Sequence, residues 1–359
     1  MSVHSRPPRT LTLRAGPEAM SILRERGLRA DDVDVLPGAS GGAKWLSIGG
    51  LDRYLFGTFF TTDVRRTPLV GIGSSIGSWR LACLAQSDPL AALARGHEAY
   101  IEHQRYSPNP SLDEVTRVLS ACLDHMLGSN GAHAMLTHPW LHTHIITGEA
   151  RGLMTSESRA ALGLGLALAA AGNVISRRTL QWSIRRTVFH SGSASAFAPF
   201  NDMSSATHPL TEQIARDVLF ASGSIPLLLH GVRLGDSPSV HWDGGVTDYH
   251  IDLPFPTQQG LALYPHFYDT ITPGWFDKGL PWRRAGVRNF RRTLLIAPRA
   301  EFVATFPGGK IPDRQDFYQL TDSERIARWT TVNAMTDAMG EELHELIETG
   351  RVAEMAIPW

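Results

Sequence analysis

The sequence predicts an α/β fold in which a mainly parallel central sheet lies between layers of helices. Two strand, glycine turn and helix units follow one another, at residues 33–55 and 69–85, and short apolar runs recur further along the chain. Short buried strands that alternate with helices are typical of parallel sheets. The 359 residues, 43% of them hydrophobic, suffice for a large core. We expect a single domain over residues 1–359.

Each element is predicted from its local pattern. Pro17 suits the first turn of a helix at 17–26, and Gly27 suits its end. The most apolar stretch, 160–171, is too short to span a bilayer and contains glycines, so we predict a buried helix there. A helical insertion is expected at about 88–140 and a C-terminal helical segment at about 320–350. The remaining predicted strands are 33–36, 69–72, 144–147, 187–190, 240–242 and 294–297. The remaining predicted helices are 46–55, 78–85 and 211–221, and residues 323–347 form either one long helix or two broken ones.

Composition excludes several classes of protein. Lys and Arg number 34 against 35 Asp and Glu, so no overall charge favours nucleic acid as a partner. The two cysteines, Cys83 and Cys122, do not suffice for a disulfide framework or a thiolate metal site. Residues 1–14 contain no apolar run of signal-peptide length, which predicts a cytoplasmic protein.

The first candidate functional motif is Gly73-Ser74-Ser75-Ile76-Gly77, a G-x-S-x-G between a predicted strand and a predicted helix. This context is that of a nucleophile elbow, in which a sharp turn exposes the serine hydroxyl. Gly73 and Gly77 would allow the strand and the helix to approach closely. Ser75 is therefore the candidate nucleophile, with an ordinary Gly-Ser turn as the alternative.

The second motif is the glycine turn that follows the strand at 33–36. A phosphate-binding P-loop requires Gly before its Lys and Ser or Thr after it, but Ala43 and Trp45 flank Lys44 here. A purely structural turn remains open. The other interpretation is an oxyanion hole, in which the amides of Gly41, Gly42 and Ala43 point at a developing negative charge from a helix N-terminus.

The third motif is Asp243-Gly244-Gly245, which follows the predicted strand at 240–242. Asp-Gly is a frequent turn signal, so Asp243 is either a turn residue or a functional acid.

Two further clusters invite functional interpretations. His138, His142 and His144 suggest a metal, but Pro139 prevents helical pairing and no carboxylate joins them before Glu149, so no metal site is predicted. Residues 283–292 contain five arginines near Trp282 and Phe290. This segment is either a solvated basic face or a surface for transient contact with anionic membranes.

The three ordered motifs resemble the patatin-like phospholipase family, in which a glycine-rich oxyanion loop precedes a G-x-S-x-G elbow and an Asp-Gly-Gly or Asp-Gly-Ala turn. The flanking segments 221–226 and 246–254 are also similar, so the resemblance spans about residues 33–254. The family's loop usually reads G-x-G-x-x-G, whereas this chain has Ser40 and Trp45 at the first and last positions. The insertion and the segment after about residue 258 match no motif.

The resemblance implies a three-layer patatin-like fold and a lipid acyl hydrolase that acts without a metal or an organic cofactor. It implies that Ser75 and Asp243 form a catalytic dyad, with the oxyanion held near Gly41 and Gly42 and with Gly244 and Gly245 shaping the acidic turn. The expected substrates are esters of phospholipids, lysophospholipids or related acyl lipids.

Two alternatives remain open at this point. One is an α/β-hydrolase esterase with a Ser-His-Asp triad, whose histidine would be His230, His241, His250 or His266. The other is a lipid-binding protein that has kept the pocket and lost turnover.

Overall fold

The computed structural model describes residues 9–61, 65, 67–197 and 200–359. They form an α/β structure whose mostly parallel central sheet is flanked by helices, as predicted. The sheet order is β11-β1-β10-β9-β2-β3-β4-β5-β6, with β8 paired to β4 and β7 to β8. Its strands are β1 (Leu11–Ala15), β2 (Val33–Gly38), β3 (Leu69–Ser74), β4 (Leu141–Ala150), β5 (Ile184–His190), β6 (Ser205–Pro209), β7 (Val232–Arg233), β8 (Val240–Asp243), β9 (Leu261–Pro265), β10 (Thr293–Pro298) and β11 (Ala356–Pro358).

Helices cover both faces of this sheet, and several of them surround the carboxyl ends of its central strands. The helices are α1 (Pro17–Arg26), α2 (Gly49–Tyr54), α3 (Ile76–Leu84), α4 (Pro89–Glu98), α5 (Leu112–Leu127), α6 (Gly131–Thr137), α7 (Arg159–Ile175), α8 (Glu212–Ser222), α9 (Ala300–Val303), α10 (Asp316–Gln319), α11 (Asp322–Met335), α12 (Asp337–Glu348) and α13 (Val352–Met355). No helix in the described part of the chain is long and apolar enough to cross a membrane.

Strands β2 and β3 position the two glycine motifs. They are parallel neighbours, with Gly38 opposite Gly73, and every residue in both is buried. Parallel strands covered on both faces are expected to be continuously apolar, as these largely are. Since both strands end at the same edge of the sheet, the glycine turn after β2 and the serine turn after β3 lie side by side.

The start of α3 contacts the end of β2 with no room for a side chain. A Cβ atom on Gly77 would overlap the carbonyl group of Gly38, and one on Gly73 would overlap the backbone of Ser78. The glycines of the predicted elbow are thus required by close backbone packing.

The insertion is helical, whereas the region after residue 258, which also matches no motif, combines helices with the strands β9, β10 and β11. Helices α4, α5 and α6 lie within the expected insertion, and α11 and α12 form the C-terminal segment, separated at Thr336. The Thr336 hydroxyl accepts a hydrogen bond from the Gly50 amide (2.8 Å), which ties this break to α2.

The prediction of a buried helix at 160–171 is wrong in one respect. Helix α7 buries Leu162, Leu166 and Ala169 but exposes Leu164 and Leu168 to solvent. Nothing in the described part of the chain covers this second apolar face, so uniform apolarity here does not mean uniform burial.

Candidate active site

Ser75 lies in the sharp turn between β3 and α3. Its backbone has φ 55° and ψ −130°, a conformation that costs free energy for any residue other than glycine. Its amide donates a hydrogen bond to the Ser222 hydroxyl at the end of α8 (2.9 Å). Ser222 in turn donates to the carbonyl of Ile146 on β4 (2.7 Å). The strained turn is therefore held by two neighbouring elements.

Asp243 is the last residue of β8, which pairs antiparallel to β4. The Ser75 hydroxyl donates a hydrogen bond to Oδ2 of Asp243 over 2.7 Å. The Gly245 amide donates to Oδ1 of the same carboxylate over 2.6 Å. A Cβ atom on Gly244 would overlap the Ile146 carbonyl, so the turn needs glycine there. A 3₁₀ turn, and not a β-hairpin, follows Asp243.

The environment of Asp243 favours a proton acceptor that works near neutral pH. Burial raises the pKa of its carboxyl group from the ordinary 3.8 to about 6, while the hydrogen bonds from Ser75 and the Gly245 amide act in the opposite direction. The carboxyl group is therefore mostly ionised at pH 7, yet it is a stronger base than an exposed aspartate. This combination suits a general base.

The glycine turn after β2 faces the same space as Ser75. Gly41, Gly42 and Ala43 line the cavity that contains Ser75 and lie at the N-terminus of a 3₁₀ turn, Gly42–Ile48. Within the described residues, the amides of these three donate to no protein acceptor, as expected for the first N–H groups of a helical turn. Gly42 has φ 56°, which a residue with a Cβ atom adopts only with strain.

The two departures from the family's loop pattern have structural explanations. The Ser40 hydroxyl is buried and donates to the hydroxyl of Ser74, next to the candidate nucleophile (2.9 Å). The Trp45 indole is also buried and donates to Asp52 (3.0 Å). The Trp45 side chain thus fills the interior behind the turn, whereas Ser40 lines the cavity beside it.

The site opens into a cavity of about 830 Å³. Apolar side chains from the insertion, α8, the loop after α8 and α10 form much of its wall, among them Val115, Leu119, Phe220, Leu228 and Phe317. The insertion therefore contributes directly to the space in front of Ser75. A cavity of this size and lining can hold an acyl chain.

No histidine lines this cavity within the described residues. His230 is exposed and lies 2.6 Å from Asp113, and His241 contacts the Thr147 hydroxyl (3.0 Å). His250 accepts a hydrogen bond from the Thr272 amide (3.0 Å) and is buried away from the cavity. Burial lowers the pKa of His266 to about 3. The structure brings none of the four candidate triad histidines to Ser75.

No group of His, Cys, Asp or Glu side chains in the described part of the chain has the arrangement of a metal site. His144 is buried and its Nδ1 lies 3.2 Å from the Gly71 carbonyl, so it belongs to the core of the sheet.

Several residues of the site cannot be singled out from the sequence. Ser222, Lys278 and Arg314 come from segments far apart in the chain, and the last two line the cavity. Ser222 lies within the 221–226 segment that resembles the family, but its spacing alone gives no role. Only tertiary packing brings it to the Ser75 amide.

No family model matches the chain, and no curated protein shows significant sequence similarity to it.

Proposed function

We propose that this protein is a serine acyl hydrolase that cleaves carboxylic esters of lipids through a dyad of Ser75 and Asp243. The observation that carries the proposal is the 2.7 Å hydrogen bond from the Ser75 hydroxyl to the buried Asp243 carboxylate, in a strained turn at the floor of a large cavity. A serine activated by a neighbouring base is the usual arrangement for acyl transfer. The resemblance to the patatin-like phospholipases supports the same reaction.

Acylation follows from this geometry. Asp243 accepts the hydroxyl proton as Ser75 Oγ forms a bond to the ester carbonyl carbon, and the carbonyl oxygen becomes an oxyanion. The amides of Gly41, Gly42 and Ala43 stabilise that oxyanion. When the tetrahedral intermediate collapses, the bond to the alcohol breaks, and Asp243 returns the proton to the departing alcohol oxygen. Ser75 is left as an acyl ester.

Deacylation repeats these steps with water as the nucleophile. Asp243 accepts a proton from water while the water oxygen attacks the acyl carbon, and the same amides hold the second oxyanion. Collapse breaks the bond to Ser75, which recovers its proton, and a fatty acid is released. This scheme requires no metal or organic cofactor.

The apolar wall favours acyl chains over sugars or nucleotides as substrates. Phospholipids, lysophospholipids and related acyl lipids fit this lining. A lipid-binding protein without turnover would use the same cavity, and the reactivity of Ser75 separates the two functions.

Ser75 is expected to react covalently with a fluorophosphonate probe, because its hydroxyl already donates to a base and faces an open cavity. Wild-type protein should be labelled and Ser75→Ala should not. Ser21→Ala is the control and should be labelled like wild type, since Ser21 is an exposed serine of α1 outside the cavity. Hydrolysis of p-nitrophenyl esters and phospholipids of graded chain length would then define the substrate. Equal labelling of wild type and Ser75→Ala, or none in either folded protein, contradicts the proposal and favours the binding function.

We also propose that the protein makes transient contact with membrane surfaces. Most of the arginine segment is engaged within the protein. Arg291 and Arg292 contact Glu18, and Arg283 and Arg284 donate to backbone carbonyls. The segment alone is therefore a weaker membrane surface than its composition indicates.

The exposed face of α7 is better suited to this contact. The helix has no charged residue between Arg159 and Arg177, and Arg283 donates to the Asn173 carbonyl at its C-terminal end (3.1 Å), which places Trp282 close by. Tryptophan and arginine beside an apolar helix face suit the interface of an anionic bilayer. The exposed fractions are 54% for Leu164, 58% for Leu168, 83% for Ile175, 73% for Trp182 and 67% for Trp282.

A double variant that carries Leu164→Glu and Leu168→Glu should bind anionic vesicles about 10-fold more weakly or worse, because the two leucines would no longer enter the acyl region of the bilayer. Co-sedimentation with phosphatidylserine vesicles measures this change. The control is Leu90→Glu, which replaces an exposed leucine on α4 and should bind vesicles like the wild type. Unchanged vesicle binding in the double variant would contradict this role for the exposed face of α7.

A further inference from the structure

Three cationic side chains line the cavity in front of Ser75. Lys44 follows the glycine turn directly, Lys278 follows a 3₁₀ turn at Trp275–Asp277, and Arg314 precedes α10. Lys44 is half-buried, and Lys278 and Arg314 remain accessible to solvent. They come from three separate parts of the chain, two of which lie beyond the segment that resembles the phospholipase family.

None of these three side chains forms an ion pair with a carboxylate in the described part of the chain. Other arginines in the protein do, such as Arg186 with Asp248 (2.7 Å). The acids nearest in sequence to Arg314 are already engaged, since Asp313 and Asp316 both pair with Lys310. The ammonium group of Lys278 lies 3.9 Å from the centre of the Tyr249 ring. Its neighbour within the protein is thus an aromatic face, which holds a cation without neutralising it.

The cavity therefore carries unbalanced positive charge. Arg159 is a fourth cation in its wall, while the acids there are Asp243 and Asp322, and Asp322 contacts Arg325. Partial burial in the cavity wall, together with repulsion from Lys44 and Arg314, lowers the pKa of Lys278 to about 8. Burial also lowers the pKa of Lys44. Mutual repulsion of this kind is relieved when an anion binds between the cations.

We propose that Lys44, Lys278 and Arg314 bind an anionic group, a phosphate or a carboxylate, carried by the acyl substrate. This inference rests on the proposed function, because it places the anion in the same cavity as the ester attacked by Ser75. The preferred substrate is then an acyl ester with a negatively charged head, and a neutral acylglycerol is a poor one. The ester lies at Ser75, the anion at the cations, and the acyl chain along the apolar wall.

The test compares two substrates with the same acyl chain, lysophosphatidic acid and monoacylglycerol. In the double variant Lys278→Met/Arg314→Gln, the ratio of kcat/KM for the anionic substrate to that for the neutral one should fall about 10-fold or more, since the charge-assisted hydrogen bonds to the anionic group are lost. The matched control is Arg117→Gln, which replaces an exposed arginine of α5 outside the cavity and should keep the wild-type ratio. An unchanged ratio in the double variant would overturn the proposal.

Binding to the Ser75→Ala protein separates this inference from the hydrolase proposal. Calorimetric titration with lysophosphatidic acid should give tighter binding than titration with monoacylglycerol, and the double substitution in the Ser75→Ala background should remove the difference. If this preference is present although the wild-type protein hydrolyses neither lipid, the anion site stands and the hydrolase proposal fails. Equal affinity for both lipids overturns the anion site whatever the activity. A monoacylglycerol hemisuccinate, which carries a carboxylate, distinguishes recognition of any anion from recognition of phosphate.

Discussion

Replacing Asp243 with Asn should remove nearly all hydrolysis, with a loss in kcat of about 10³-fold or more, because the amide cannot accept the Ser75 proton. Asn has nearly the same size, and its side-chain oxygen can still accept the Gly245 amide hydrogen bond that now reaches Oδ1 over 2.6 Å. The fold should therefore survive. Steady-state kinetics on a p-nitrophenyl ester, with circular dichroism as a check of folding, measures this effect.

Replacing one histidine at a time with Gln should leave most of the hydrolytic activity. The positions tested are His230, His241, His250 and His266. None of these side chains lines the cavity, and each contacts other groups. A loss of about 10³-fold at any one of them, in a folded protein, would falsify the dyad and support a Ser-His-Asp triad.

The pH profile gives an independent readout for the same base. Asp243 must be ionised to accept a proton, and burial raises its pKa to about 6. With a neutral p-nitrophenyl ester as substrate, we therefore expect kcat/KM to fall as the pH decreases through about 6 and to be level between about 7 and 8. If the base were a histidine with a lowered pKa, such as His241 at about 4, the fall in kcat/KM would occur at a lower pH.

Local sequence predicts the parts of the site that depend on backbone turns. The elbow at Ser75, the turn at Gly41 and Gly42 and the acidic turn at Asp243 each require glycine within a few residues, so their signals are contained in short segments. The strands that lead into the first two turns are predictable as well, since β2 and β3 are largely apolar, whereas β8 is recognised mainly by the Asp-Gly-Gly turn that follows it.

Contacts between distant segments cannot be predicted in this way. Ser222 holds the Ser75 amide from 147 residues further along the chain, and nothing in its own segment indicates that contact. Strand β1 alternates buried and half-buried residues, but five residues of alternation are a weak signal without a known partner strand. The exposed face of α7 escapes prediction because apolarity leads to burial only when a neighbour is available to cover it.

Gly42→Val should lower kcat by about 10²-fold or more, because the amide of residue 42 would no longer point at the oxyanion. The structure gives two reasons. Gly42 has φ 56°, which a β-branched residue avoids, and a Cβ atom there would lie 3.2 Å from the Tyr100 hydroxyl. A change in the backbone that relieves the unfavourable φ or the contact with Tyr100 would turn the peptide groups on both sides of residue 42 away from Ser75.

Backbone strain alone would also destabilise the protein, so the control must carry the same strain outside the site. Gly350 has φ 67° and lies after α12, and a Cβ atom added to it would meet no other atom within 4 Å. Gly350→Val should therefore lower the free energy of unfolding by roughly 1–2 kcal/mol, as a left-handed residue does, and leave kcat unchanged. Gly42→Val should show a similar loss of stability together with the loss of kcat. If both variants lose stability and neither loses kcat, the turn at Gly42 is structural, and the oxyanion must be held by other donors near Ser75.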